Sequence, residues 1–272
     1  MTHRIERTIQ DGIERIVYTP ARRQYETPLL MQHGMWHAAW CWQPWQELFA
    51  QWGWESHAFS LPGHGGSPVG RSLRWCTLGY YDGILSAEVK RMKRPPVLLG
   101  HSMGGALVQR HLKKNCDIPA AVLAASWPSR STLLPLARLF LRHPWEVALA
   151  LATLSAAPAI STTALVQDLF LSDGALIAPD ELRARLSPES LLIVFQHLPP
   201  FWHPPLRTRT RLLWLGGTHD IVNAEQIHRE SAADYGADYI AVEGANHDLM
   251  WERSSSQTAL SIHQWLVGKG VV

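Results

Sequence analysis

The chain is poor in the features that mark several protein classes. Its 272 residues hold only three cysteines, Cys41, Cys76 and Cys116. They are odd in number and scattered, which argues against a disulfide framework and predicts reduced thiols in a cytoplasmic protein. No charge of one sign dominates: 25 basic residues face 23 acidic ones, a net charge of +2. That balance gives no electrostatic footing for nucleic acid. Residues 1–10 are charged and lack the apolar core of a signal peptide. The best membrane candidate, 145–160, is too short to span and carries Glu146 and Pro158, so a buried or lid helix is expected there and no stable membrane insertion. The glycine-rich stretch Gly100–Gly105 has no lysine to grip a phosphate, and no helix directly follows Gly63-His64-Gly65-Gly66 as a dinucleotide fingerprint requires. His33 and His37 straddle a glycine loop with no apparent carboxylate partner, so neither a metal nor a cofactor is expected.

What remains is core-building material, with 46% hydrophobic and 18% charged residues. Two strand-like runs, 3–9 and 13–18, flank Asp11-Gly12, a hairpin signal. Strands are predicted over 28–32, 55–61, 96–99, 120–125, 211–215 and 239–242. Helices are predicted over 45–52, 78–92, 106–114, 224–235 and 257–267. The later strands are nearly continuous apolar runs, the pattern of strands buried on both faces, so a mostly parallel sheet covered by helices is expected: an α/β fold. Residues 128–205 break the rhythm, with ten of the chain's eighteen prolines and no convincing strand. They read as a helical cap, 128–206, inserted into a core made of 1–127 and 207–272.

The chemistry is carried by Gly100-His101-Ser102-Met103-Gly104. A strand, a very tight turn and a helix in succession force the serine into a strained conformation with its hydroxyl thrust outward. The amides at the start of the helix face whatever negative charge forms there. A serine hydroxyl needs a base, and the base needs a carboxylate to fix its tautomer. His247 in Gly244-Ala245-Asn246-His247-Asp248 and Asp220 at the end of Gly216–Asp220 are the best candidates, each just beyond a strand. The order Ser102, Asp220, His247 suits this architecture. With fourteen histidines, a lone one proves little; His64 and His101 read as structural and His33 as an orienter of its loop. Asp248, adjacent to His247, fits poorly as the orienting acid because neighbouring side chains diverge. No carboxylate follows the strand near Ala125. The tetrahedral intermediate also needs donors, for which the backbone amides of Met103 and, by position alone, Met35 are nominated.

Six of the thirteen tryptophans fall between Trp36 and Trp54. Most read as helix-to-core packing, whereas Trp36 lies beside the nominated oxyanion loop. Trp36, Trp127, Phe140, Phe170, Phe195 and Trp202 are candidate pocket residues for an apolar acyl group, and Leu139 and Leu169 could roof it with them. The alternative is that those in 128–206 only pack the cap together.

Taken together, His33-Gly34, Pro62-Gly63-His64-Gly65-Gly66-Ser67, Gly100-His101-Ser102-Met103-Gly104-Gly105, Asp220 and His247 resemble the α/β-hydrolase superfamily over nearly the whole chain. The resemblance implies an eight-stranded sheet whose second strand is antiparallel and a helical cap before the acid-bearing strand. It also implies Met35 and Met103 as oxyanion donors. His33-Gly34-Met35-Trp36-His37-Ala38-Ala39-Trp40-Cys41-Trp42 is similar to the first loop of plant methylesterases and hydroxynitrile lyases. Those lyases carry a lysine after the catalytic histidine, where this chain has Asp248, which points to ester hydrolysis. Ser60 replaces an aspartate found in many relatives, a departure that bears on loop anchoring. The expected function is that of a serine carboxylesterase acting on a small-molecule ester with an apolar acyl or aryl group. The same triad also serves thioesterases, lactonases, carbon–carbon bond hydrolases and acyltransferases. A low-turnover ligand-binding receptor is the reading from another class.

Overall fold

Asp11 and Gly12 both take positive φ, 54° and 72°, as a tight hairpin requires. They join β1 (His3–Gln10) to β2 (Ile13–Pro20). The computed structural model describes residues 3–114, 117–203 and 208–271. Cys116 and the 206/207 boundary lie outside them. The chain continues through β3 (Leu29–Gln32), α1 (Gln43–Gln51), β4 (Ser56–Ser60), α2 (Leu78–Arg91), β5 (Val97–His101), α3 (Met103–Leu112) and β6 (Ala120–Ala124). Five helices follow: α4 (Leu133–Arg142), α5 (Pro144–Thr153), α6 (Thr163–Phe170), α7 (Pro179–Arg185) and α8 (Leu192–Phe195). The chain then closes with β7 (Arg211–Gly217), α9 (Glu225–Tyr235), β8 (Asp238–Val242) and α10 (Ser255–Gly268).

The eight strands form one sheet in the order β1-β2-β4-β3-β5-β6-β7-β8. Strand β2 is antiparallel to both neighbours, and every pairing from β4 to β8 is parallel. This is the expected α/β architecture with its antiparallel second strand. Successive side chains of a strand point to opposite faces, and the core divides accordingly. Leu29, Met31, Leu99 and Val122 pack with Trp42, Trp45 and Phe49 on one side, while Leu30, Leu98, Ala121 and Leu123 pack with Tyr81, Leu107 and Trp214 on the other. Both faces are covered, which is why these strands carry no polar alternation. Trp42, Trp45 and Trp54 are fully buried, as the packing reading of the tryptophan cluster requires.

Two boundaries differ from the sequence reading in a way that matters. Helix α3 begins at Met103 rather than at 106, because the turn at Ser102 is so sharp that the helix starts on the next residue. The 145–160 stretch is not one helix. Helix α5 ends at Thr153, Leu154 turns left-handed at φ 51°, and a short 3-10 turn (Ala157–Ile160) follows. Among the described residues of 128–206 no strand joins the sheet; the one ladder contact is an isolated bridge, Ser155 to Ser190.

The departure at Ser60 has a local answer. Glu14 on β2 is buried, and its carboxylate accepts from Ser60 Oγ at 2.6 Å and from the Gly66 amide at 2.8 Å. Ser67 Oγ in turn accepts from the Glu14 amide at 2.8 Å and donates to the Ser60 carbonyl at 2.7 Å. Burial raises the proton affinity of Glu14, but the Ser60, Gly66 and Arg7 donors outweigh it and hold the carboxyl below its usual range. The anchoring charge of the 61–67 turn therefore comes from the neighbouring strand.

Candidate active site

Ser102 follows β5 with φ 51° and ψ −119°, a conformation that a residue with a Cβ rarely adopts. The surrounding backbone holds it there. Its amide donates to the Ala124 carbonyl at 3.1 Å, and its carbonyl accepts from Gly105 at 2.9 Å and Trp127 at 3.1 Å. The flanking glycines are needed for approach rather than for φ. A Cβ on Gly104 would run into the carbonyls of Gln32 and His33, and one on Gly100 would lie 2.6 Å from the Gly104 carbonyl.

The turn brings Ser102 Oγ to 2.9 Å from His247 Nε2, and His247 Nδ1 lies 2.8 Å from Asp220 Oδ2. These residues leave the carboxyl ends of β5, β8 and β7, where open α/β sheets place their ligands. Asp220 is saturated with donors. Its Oδ1 accepts from the amides of Val222 at 2.8 Å and Asn223 at 2.9 Å, and its Oδ2 also meets His228 Nε2 at 3.1 Å. The Trp214 indole, a donor only, points at His228 Nδ1 at 3.1 Å. The proton of a neutral His228 therefore sits on Nε2 and is donated to Asp220. Burial pushes the Asp220 carboxyl up, but the charge and hydrogen bonds of His247 and His228 pull it well below the carboxylate range. Burial likewise disfavours a charged His247, yet the Asp220 carboxylate more than offsets it and raises the imidazole above its ordinary value. Such a chain can draw a proton from the hydroxyl and stabilise the resulting imidazolium.

The Met103 amide opens α3 and is one of the donors a helix cannot satisfy internally. Met35 and Ser102 face one cavity. The loop bearing Met35 is pinned from both ends. The Leu61 amide donates to His33 Nε2 at 3.0 Å, so His33 carries its proton on Nδ1 and donates to the Gly34 carbonyl at 2.8 Å. Burial, then the neighbouring His64, push His33 well below its ordinary value, which keeps it neutral. Trp36 takes φ 64°, donates its indole N–H to the Ala156 carbonyl at 3.0 Å and accepts from the Ser187 amide at 2.8 Å. It ties the loop to the inserted helices.

Sequence reasoning missed two groups. One is His228; the tandem Gly216-Gly217 was its only trace, since a Cβ on Gly216 would overlap its ring. The other is a buried cluster beneath His247. Asp248 Oδ2 lies 2.9 Å from His37 Nε2, His37 Nδ1 meets the Met35 carbonyl at 2.8 Å, and His101 Nε2 donates to the His247 carbonyl at 3.1 Å. Burial first, with its histidine neighbours, drives His101 down to about 3, so it is neutral. The carboxylate partner that His37 lacked in the sequence is Asp248, whereas the His247 ring pairs with Asp220. His37, His101 and Asp248 offer ligand atoms within 4.8 Å of one another. His37 and Asp248 bond each other and His101 bonds the His247 carbonyl, so the three form a hydrogen-bonded cluster rather than an open cradle. His64 pairs with the buried Glu189 at 3.1 Å, a structural role as expected.

A cavity of about 990 Å³, including the part open to solvent, leads to Ser102. Of the nominated pocket residues, Trp36, Trp127, Leu139, Leu169 and Phe195 line it, as do Met35, Leu136 and Val147. Three nominees do not. Phe140 is 47% exposed on the outer face of α4. Phe170 packs behind the site, edge-on to Trp36 and His37 with centroids 5.7 and 5.3 Å away. Trp202 stacks on His197 at 3.9 Å and donates to the Ser129 carbonyl at 2.8 Å, contacts within the insertion itself.

Residues 29–259 match the model of a protein family described as the alpha/beta hydrolase family. The chain belongs to the alpha/beta hydrolase family. Solved structures place this hydrolase among similar folds. A monoacylglycerol lipase of Paleococcus ferrophilus is 19% identical with a TM-score of 0.67, over 98% of this chain and 99% of that one. A carboxylesterase of Bacillus subtilis is 15% identical with a TM-score of 0.67, over 98% and 93%. A thermophilic esterase of Thermogutta terrifontis is 15% identical with a TM-score of 0.65, over 98% and 99%. At these identities the likeness is one of fold. A search of curated proteins returns no match. Among the described residues, no helix of this hydrolase is long and apolar enough to cross a membrane.

Proposed function

We propose that the protein is a serine carboxylesterase. The observation that carries this reading is the continuous chain of contacts from Ser102 Oγ through His247 to Asp220, at 2.9 and 2.8 Å, beside an apolar cavity. His247 Nε2 takes the hydroxyl proton as Ser102 Oγ attacks the ester carbonyl carbon. Asp220 holds the imidazole with its proton on Nδ1 and stabilises the imidazolium. The oxyanion is received by the amides of Met103 and Met35, each such donor typically worth about 3 kcal/mol. Collapse breaks the bond to the alcohol oxygen, which leaves with the proton from His247. Water, deprotonated by the same imidazole, then releases the acid and restores Ser102. The chemistry needs no cofactor.

Residues 128–206 act as a cap whose inner apolar side chains receive the acyl or aryl group. Asp248 stands where cyanohydrin lyases carry lysine and is spent on His37, which favours hydrolysis over carbon–carbon lysis. The free, buried thiols of Cys41 and Cys76 suit a cytoplasmic setting. A panel of p-nitrophenyl esters from acetate upward, run beside matched thioesters, lactones and a carbon–carbon hydrolase substrate with product identification, tests the assignment. Oxygen esters with small to medium acyl groups are expected to be turned over fastest. A panel dominated by another bond type would transfer the triad to that reaction. Tight ligand-induced stabilisation without steady-state turnover would favour the receptor.

A further inference from the structure

Helices α4 and α5 form a hairpin with two different faces. The inner one, with Leu136, Leu139 and Val147, lines the cavity at Ser102. The outer one carries Leu133, Leu134, Leu141, Trp145 and Leu149, all at least half exposed, with Leu141 81% and Trp145 82% accessible around the His143 corner. Single exposed apolar residues are ordinary, but an apolar surface spread over two successive helices marks a place where something docks.

The charges on this hairpin say what. Residues 131–160 contain one acid, Glu146, and it turns inward to the cavity. Their bases are Arg138, Arg142 and His143. Arg142 and His143 both bind Asp168, whereas Arg138 forms no ion pair among the described residues and faces outward. The hairpin's outer face is thus apolar and cationic, with no outward carboxylate of its own; the bordering acids, Asp168 beside Arg142 and Glu230 and Asp234 beside Leu133 and Leu134, belong to α6 and α9. A second copy of the hairpin would offer Arg138 nothing to pair with. A layer of acyl chains under phosphate headgroups matches both properties, because an amphipathic element with basic residues at its polar margin settles at that boundary.

We propose that the outer face of the α4–α5 hairpin lies on the surface of a phospholipid bilayer containing anionic lipid. Leu141 and Trp145 enter the acyl boundary and Arg138 meets the phosphates. The same two helices wall the cavity, so an ester dissolved in the bilayer has an apolar route to Ser102. The docking stands on the surface alone; only the delivery of an ester rests on the carboxylesterase reading.

The test uses the full chain as Ser102→Ala, so that turnover cannot alter the lipid, floated with vesicles of phosphatidylcholine containing a quarter phosphatidylglycerol. Most of the protein should float with these vesicles and less with phosphatidylcholine alone. Leu141→Glu/Trp145→Glu should lower vesicle affinity by about tenfold or more. Arg138→Glu should weaken binding only where phosphatidylglycerol is present. Neither set of residues lines the cavity, so in the Ser102 background both variants should hydrolyse a water-soluble short-chain ester as the parent does, which also reports that they fold. Absence of flotation, or equal flotation of the double variant, would overturn the docking. So would a dimer of the parent protein that the double variant dissolves, which would hand the face to a second copy. Flotation without any ester hydrolysis would instead reject the carboxylesterase reading and leave the docking intact.

Discussion

Alanine at Ser102 is expected to lower kcat/KM for an activated ester by about 10⁵- to 10⁶-fold, because removing either the nucleophile or its base disables the whole unit. The fold should survive. The strained φ of 51° at Ser102 is set by the residues around it, and alanine places the same Cβ there. The one side-chain hydrogen bond lost is that to His247 Nε2. The thermal midpoint should therefore stay close to that of the parent. His247→Ala should cost about as much as Ser102→Ala, and the double variant little more than either, since groups acting on one proton are not additive. Steady-state kinetics of the three variants against one p-nitrophenyl ester provide the check. A Ser102→Ala protein with near-parental turnover would place the nucleophile elsewhere.

Asparagine at Asp220 is expected to reduce kcat by about 10⁴-fold and to move the pH profile. Asp220 Oδ1 accepts from two backbone amides, and Oδ2 faces the ring nitrogens of His247 and His228. An asparagine that keeps the backbone bonds turns its NH₂ toward both rings. His247 Nδ1 must then accept, its proton moves to Nε2, and it can no longer take the Ser102 proton. The profile follows from the charge. Burial disfavours a protonated His247, and the Asp220 carboxylate outweighs it and raises the imidazole above the ordinary histidine value of about 6.5. Only the neutral ring is a base, so activity of the parent should rise with pH along a limb centred above that value. Without the carboxylate, burial alone remains and favours the neutral ring. The residual activity of Asp220→Asn should therefore have its acid limb at lower pH. A limb that stays in place would separate the pH dependence from the His247–Asp220 pair.

Much of this molecule was readable from its residues, for physical reasons that also mark the limit. Strands such as Leu29–Gln32 and Leu98–Leu99 declare themselves because a sheet covered on both faces allows no polar alternation. The turn at Ser102 is legible because a backbone carbonyl beside Gly104 leaves no room for a side chain. The pocket was harder. Helix α4 carries leucine or phenylalanine at 133, 134, 136, 139, 140 and 141, nearly all round, so periodicity could not tell that Leu136 and Leu139 face the cavity and Phe140 the outside. His228 and the His37–Asp248 pair were hidden because their partners lie on other elements; adjacency to His247 gave no hint that Asp248 belongs to His37, 211 positions away. The 145–160 break rests on a left-handed Leu154, a residue with no turn preference to betray it.

The most direct test is a fluorophosphonate, which reacts only with an activated serine, followed by intact mass and peptide mapping. One phosphonyl group per chain, on the peptide containing Ser102, is expected, with ester hydrolysis falling in step with labelling and no adduct on His247→Ala over the same period. An adduct on another serine, or a protein that keeps hydrolysing esters while Ser102 stays unlabelled, would contradict the account.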